Sequence, residues 1–265
     1  MSQSANDAPG RPGIPPTWSS SAKDFVTTAL GTSRLWATFG YGILNEVYWP
    51  ATGYPQIRDL GFIIAGPHGW TEVKRAQRYT LSTPKPFIPL PKFVHEGDDY
   101  RLELEFLPHP LRDVLLIRYN LEGEDVRLYP MLAPHLAARR SNDAWADDDL
   151  VASTDGVAVC LHADTGFERT SAGFVGVSDG WQDFNANGKM TQTHAQALDG
   201  NVALIGECAN KSGTLALGFA ETREGARTLA RSSLADDYEE LRRIFVDRWE
   251  SWGEALSIPG APPEL

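Results

Sequence analysis

At 265 residues, 42% hydrophobic and 22% charged, the chain has the composition of a globular protein with a sizeable core, neither collagen-like nor disordered. A formal net charge of −11 without clustered Lys and Arg argues against a nucleic-acid surface, because phosphate contacts need concentrated positive charge. The longest apolar runs, such as 61–66, fall far short of the roughly 18 residues that suggest a membrane-spanning helix.

Residues 1–17 are rich in Ser, Pro, Gly and Asn and offer little to pack, which predicts a flexible N-terminal arm or disordered tail. The same opening lacks a charged start followed by an apolar stretch, so it does not read as a secretory signal, and a cytoplasmic location is the expectation. Organised structure is expected from Trp18. From there through residue 221, short apolar runs alternate with turn signals at the spacing of a sandwich or barrel. Pro84–Pro91 carries four prolines, which excludes a central strand and predicts an extended crossing or edge segment.

Tyr100–Phe106 is the clearest strand: Tyr100, Leu102, Leu104 and Phe106 alternate with Arg101, Glu103 and Glu105, one face toward a core and one toward water. Val114–Ile117 is apolar on both faces, so it is expected deeper, between layers. Asp155-Gly156 and Asp199-Gly200 each separate two apolar runs and predict two tight hairpins. Leu215, Leu217 and Phe219 repeat the period of two.

The period changes near Thr222. Ser233 is the expected helix cap, with Asp236 three residues on, and Tyr238, Leu241, Phe245, Trp249 and Trp252 follow at helical spacing until Gly253 offers a stop. The closing residues 259–265, PGAPPEL, have the composition of an interdomain linker.

Few constellations carry chemistry. Cys160 and Cys208 lie in apolar, strand-like stretches and read as buried free thiols. Asp183, Asn185, Asn187 and Gly188 match the first half of a calcium loop, but position twelve is His194 where a bidentate Glu is needed, so a polar turn is expected and no calcium. Asp147, Asp148 and Asp149 could gather a cation, but adjacent residues of an extended chain point to opposite sides and three such charges rarely converge on one ion, which predicts a solvated loop. The histidines (His68, His95, His109, His135, His162, His194) show no zinc spacing. No nucleophile elbow, Walker loop or dinucleotide fingerprint occurs, so no cofactor is expected. Trp70, Trp145 and Trp181 could stack on a sugar ring, although most aromatics in a sandwich fill its core.

The stretch Ser33–Ile64, SRLWATFGYGILNEVYWPATGYPQIRDLGFII, resembles the start of the N-terminal domain of bacterial glucoamylases and glucodextranases, in glycoside hydrolase family fifteen. Ser171–Asp183, SAGFVGVSDGWQD, is similar too, and KPF at 85–87, PHL at 134–136, GNVAL from Gly200 and LALGF at 215–219 follow the family order. The resemblance covers roughly residues 14–255. It implies a mainly β fold, a large two-sheet antiparallel super-β-sandwich over 18–221, with C-terminal linker helices over 222–265 leading toward an (α/α)6 catalytic barrel outside this chain. It also implies a parent that removes glucose from α-glucan chain ends with inversion, using two glutamates of the barrel, so no catalytic residue is assigned here. Ser178, Asp179, Gly180 and Trp181 are the candidate loop at the barrel interface or active-site rim. The expected partners are the barrel and α-glucan oligosaccharides, with no nucleic acid and no membrane. The alternatives are a stand-alone carbohydrate-binding module for α-glucans, and an enzyme in its own right with two facing acids.

Overall fold

The computed structural model describes residues 6–16, 22–139 and 141–256. Strands β1 (Phe25–Thr28), β2 (Trp36–Gly40), β3 (Ile43–Tyr48), β4 (Ile57–Gly66) and β5 (Gly69–Glu72) lead into a one-turn helix α1 (Val73–Ala76). There follow β6 (Tyr79–Ser82), β7 (Lys92–Glu96), β8 (Arg101–Pro108), β9 (Val114–Glu122) and β10 (Arg127–Pro134). After a 3-10 turn come β11 (Asn142–Ala146), β12 (Leu150–Thr154), β13 (Val157–Ala163), β14 (Phe167–Phe174) and helix α2 (Gly180–Asn187). The chain then runs through β15 (Gln196–Gly200), β16 (Val202–Cys208) and β17 (Ser212–Ala220) to helices α3 (Arg223–Ser233) and α4 (Tyr238–Ala255).

Among the described residues two antiparallel sheets result. One has eight strands in the order β1-β2-β3-β4-β10-β16-β14 with β5 paired to β4, and the other has nine, β15-β11-β12-β13-β17-β9-β8-β7-β6. Their facing sides share one core, in which Phe39, Phe62, Leu128 and Leu204 of the first sheet meet Leu104, Phe106, Ile117, Leu161 and Leu217 of the second. Phe39 and Phe106 meet edge to face across the layers at 4.8 Å between ring centres, and Trp49 stacks on Phe219 at 6.4 Å.

The mixed burial of β9 reflects the helical cover on the second sheet. Leu115 and Ile117 enter the core between the sheets, while Val114 and Leu116 turn outward against Ala226 and Ala230 of α3 and Leu241 and Phe245 of α4. A methyl at Gly218 of β17 would lie 2.9 Å from the carbonyl oxygen of Ala226, so glycine there lets α3 lie on the sheet. The segment carrying the four prolines connects edge strand β6 to β7 and buries Ile88 and Leu90 beneath α4, in line with a crossing rather than a strand. Cys160 and Cys208 are free and buried, and burial pushes the Cys208 thiol up to about 12. No helix among the described residues is long and apolar enough to cross a membrane.

Five local expectations are corrected. Residues 6–16 are a packed arm rather than a disordered tail: Ala8 donates to the Gln196 carbonyl at 2.8 Å, Asn201 donates to that of Pro12 at 2.8 Å, and Ile14 donates to that of Val175 at 3.0 Å. Asp155-Gly156 does form a two-residue turn between β12 and β13, with Thr154 facing Val157. Asp199-Gly200 does not, because β15 pairs with β11 in one sheet and β16 with β10 and β14 in the other. Asp199 takes positive φ (60°) where the β11–β15 register shifts, and the chain then crosses between layers. Ser233 ends α3, whereas Asp237 caps α4 by accepting from the amides of Glu239 and Glu240. The calcium-like segment is helix α2, with Gly188 as its left-handed C-cap, rather than a simple turn. Asp149, read as solvated with its neighbours, is wholly buried. The expected linker stretch 259–265 lies outside the described residues, as do residues 1–5 and Trp18.

Candidate functional site

The candidate loop Ser178–Trp181 sits where β14 turns into α2, on the outer side of the first sheet. The Ser178 hydroxyl accepts from the Phe174 amide at 3.0 Å and donates to the Pro9 carbonyl at 2.7 Å, tying the N-terminal arm to this turn. Asp179 caps α2, accepting from the amides of Gln182 and Gly176. Burial pushes the Asp179 carboxyl up, and these amides oppose the shift. A methyl on Gly180 would lie 2.6 Å from Ile205, so the helix begins directly on β16. These three residues are spent on holding the turn.

Trp181 differs. Its indole N–H donates to Glu72 at 3.1 Å, its ring meets Trp70 edge to face at 6.0 Å, and the Arg75 guanidinium lies over it at 4.6 Å from the ring centre. Arg75 also pairs with Glu72 at 2.7 Å and is two-thirds exposed. The outer edge of α1, β5 and α2 therefore presents a fixed aromatic and cationic surface. Behind it, Asp183 accepts from the amides of Thr191 and Gln192, from the Thr191 hydroxyl and from Asn187. Burial alone would raise its carboxyl, but these bonds outweigh it and hold the group below the usual range. Its oxygens thus close a turn that the sequence shares with calcium loops. Among the described residues no group of three or more His, Cys, Asp or Glu is placed to hold a metal ion.

Of the other tryptophans singled out from sequence, Trp70 packs on Phe184 at 5.6 Å, and Trp145 lies under the Arg223 guanidinium at 4.1 Å. Two features escaped the sequence reading. Asp149, at the turn into β12, has His162 against one oxygen and Arg231 donating to the other at 2.7 Å, with Arg227 of α3 3.4 Å away. The i, i+4 spacing of Arg227 and Arg231 was the visible signal that one face of α3 seeks an anion. At the end of α4, Trp252, Leu256 and nearby Phe87 are exposed, although Trp249 beside them is anchored to the Thr28 carbonyl at 3.2 Å. Trp249 and Trp252 meet edge to face at 5.2 Å, so this end of the molecule offers a rigid aromatic surface.

Residues 8–254 match the family model described as "Glucodextranase, domain N". The chain belongs to this family. This domain N chain is 26% identical over 266 residues to a glucoamylase of Clostridium sp. (strain G0005), an alignment covering 93% of this chain and 38% of that protein. A crystal structure of a bacterial glucoamylase complexed with acarbose matches the domain N fold with a TM-score of 0.91 at 24% identity, over 95% of this chain and 40% of that one. The two-sheet antiparallel sandwich expected from sequence is thus the domain N fold, and the chain spans about two fifths of the length of these relatives.

Proposed function

We propose that this chain is the non-catalytic N-terminal β-sandwich domain of a glucoamylase-like or glucodextranase-like α-glucan exo-hydrolase, supporting the fold and active-site rim of an (α/α)6 barrel contributed by the rest of the parent. The observation that carries this reading is the alignment of almost the whole chain with only 38% of a glucoamylase. The aromatic end of α4 supports it, because an exposed cluster of large apolar side chains marks an interaction surface. In this reading α3 and α4 fasten the sandwich to the barrel, and Trp181 with Arg75 forms part of the rim.

Glucose release from maltotriose and isomaltotriose tests the assignment. The full-length parent is expected to release glucose and the 265-residue chain none; turnover by the isolated chain would overturn the non-catalytic reading. Trp181→Ala in the parent is expected to leave the sandwich folded and to lower turnover, and unchanged turnover would remove Trp181 from the rim. The second reading, a glucan-binding module, draws on the exposed Trp36, Tyr54 and Trp252. Saturable heat on titrating the isolated chain with maltooligosaccharides would favour it.

A further inference from the structure

Arg58 lies on β4 where the pairing with β10 shifts register between Ala133 and Pro134, and it is only 6% exposed. Its Nε is fully buried and makes no hydrogen bond, and no carboxylate of the described residues forms an ion pair with it. The chain has 35 Asp and Glu, so the want of a partner is not a shortage of acids. The two acids that attract Arg58 from further away are engaged: Asp179 holds the backbone at the start of α2, and Asp59 faces Lys74 at 3.2 Å. The third neighbour is His135, whose pKa is pushed down by burial and then by the Arg58 charge; the shift favours the neutral ring, and an imidazole carries no negative charge in either state, so it is no counter-ion.

A guanidinium stays protonated in a protein, and a buried ion without a counter-ion is among the costliest arrangements a fold can keep. Arginine's planar fork suits a carboxylate bidentately, which makes it the usual residue for ion pairs formed at interfaces. We infer that Arg58 is the receptor for an Asp or Glu side chain presented by the catalytic region of the parent, so that its ion pair is completed when the two regions pack. This rests on the accessory-domain reading above. More than half the length of the matched glucoamylase lies outside the region this chain aligns to, which leaves ample sequence to supply the acid.

The test compares Arg58→Met and Arg58→Lys with wild type, in the 265-residue chain and in the full-length parent, by calorimetry. Met has nearly the same reach without the charge. In the isolated chain Arg58→Met is expected to melt at or above the wild-type temperature, since replacing an unpaired buried ion by an apolar group of similar volume is neutral or stabilising. In the parent the same change is expected to lower the melting temperature by several degrees or to split one transition into two, with Arg58→Lys between the extremes. An equal loss of melting temperature in both contexts would overturn the inference, making Arg58 an internal structural residue. An unaffected parent would overturn it as well. A gene product no larger than this chain would instead sink the accessory reading, and the inference with it.

Discussion

Asp149, the last of three consecutive aspartates, is a fastening point rather than a solvated charge. Its carboxylate is wholly buried, with His162 on one oxygen and Arg231 and Arg227 on the other, so the turn into β12 holds α3 by charge as well as by packing. Burial works to raise its pKa, but His162 close against one oxygen and Arg231 hydrogen-bonded to the other outweigh that and hold it below the usual range. A folded pKa below the unfolded value of about 3.9 means that the stabilisation is present above about pH 4 and is lost as pH falls through the folded pKa. Asp149→Asn is therefore expected to cost on the order of 2–3 kcal/mol at pH 7, less than a fully buried pair because both arginines are part-exposed. Urea unfolding should show that difference shrinking below about pH 4. Neither Asp149 nor Arg58 was legible as a buried ion from the sequence, because the arginines that face Asp149 lie some 80 positions away along the chain, and what isolates Arg58 is its three-dimensional surroundings.

Elements were more legible than residues where one periodicity ruled. The alternation in β8 and β17 and the two-sided apolar run of β9 reflect directly which faces meet the core and the helices. The misreadings occurred where a local signal served another purpose. Asp199 does take positive φ, as a turn residue can, but uses it for a register shift before the chain crosses between sheets. Ser233 precedes an acid at cap spacing, yet its hydroxyl accepts from Arg112 at 3.3 Å at the end of α3, and Asp237 holds the free amides of α4. Asp237→Ala is expected to cost about 1 kcal/mol in urea unfolding, the usual value of an N-cap. Gly218→Ala pushes a methyl against the backbone of Ala226 and Ala230 and is expected to cost about 1–3 kcal/mol by forcing α3 from the sheet. The order of motifs was a stronger guide than any single one, since it fixed the family from Ser33 to Phe219 while these local details remained hidden.

For the whole molecule, the sandwich closes its own core and covers one outer face with α3 and α4, yet among the described residues the aromatic end of α4 stays exposed, the Trp181 and Arg75 edge faces outward although both are held by Glu72, and Arg58 has no ion pair. An accessory domain packed against a catalytic region accounts for all three, and the coverage of two fifths of a glucoamylase points the same way. The most direct measurement is the mass of the native gene product in its source cells, by immunoblot with antibody raised against this chain. The account predicts a band well above 29.1 kDa, carrying the catalytic barrel; a single band at 29.1 kDa would contradict it.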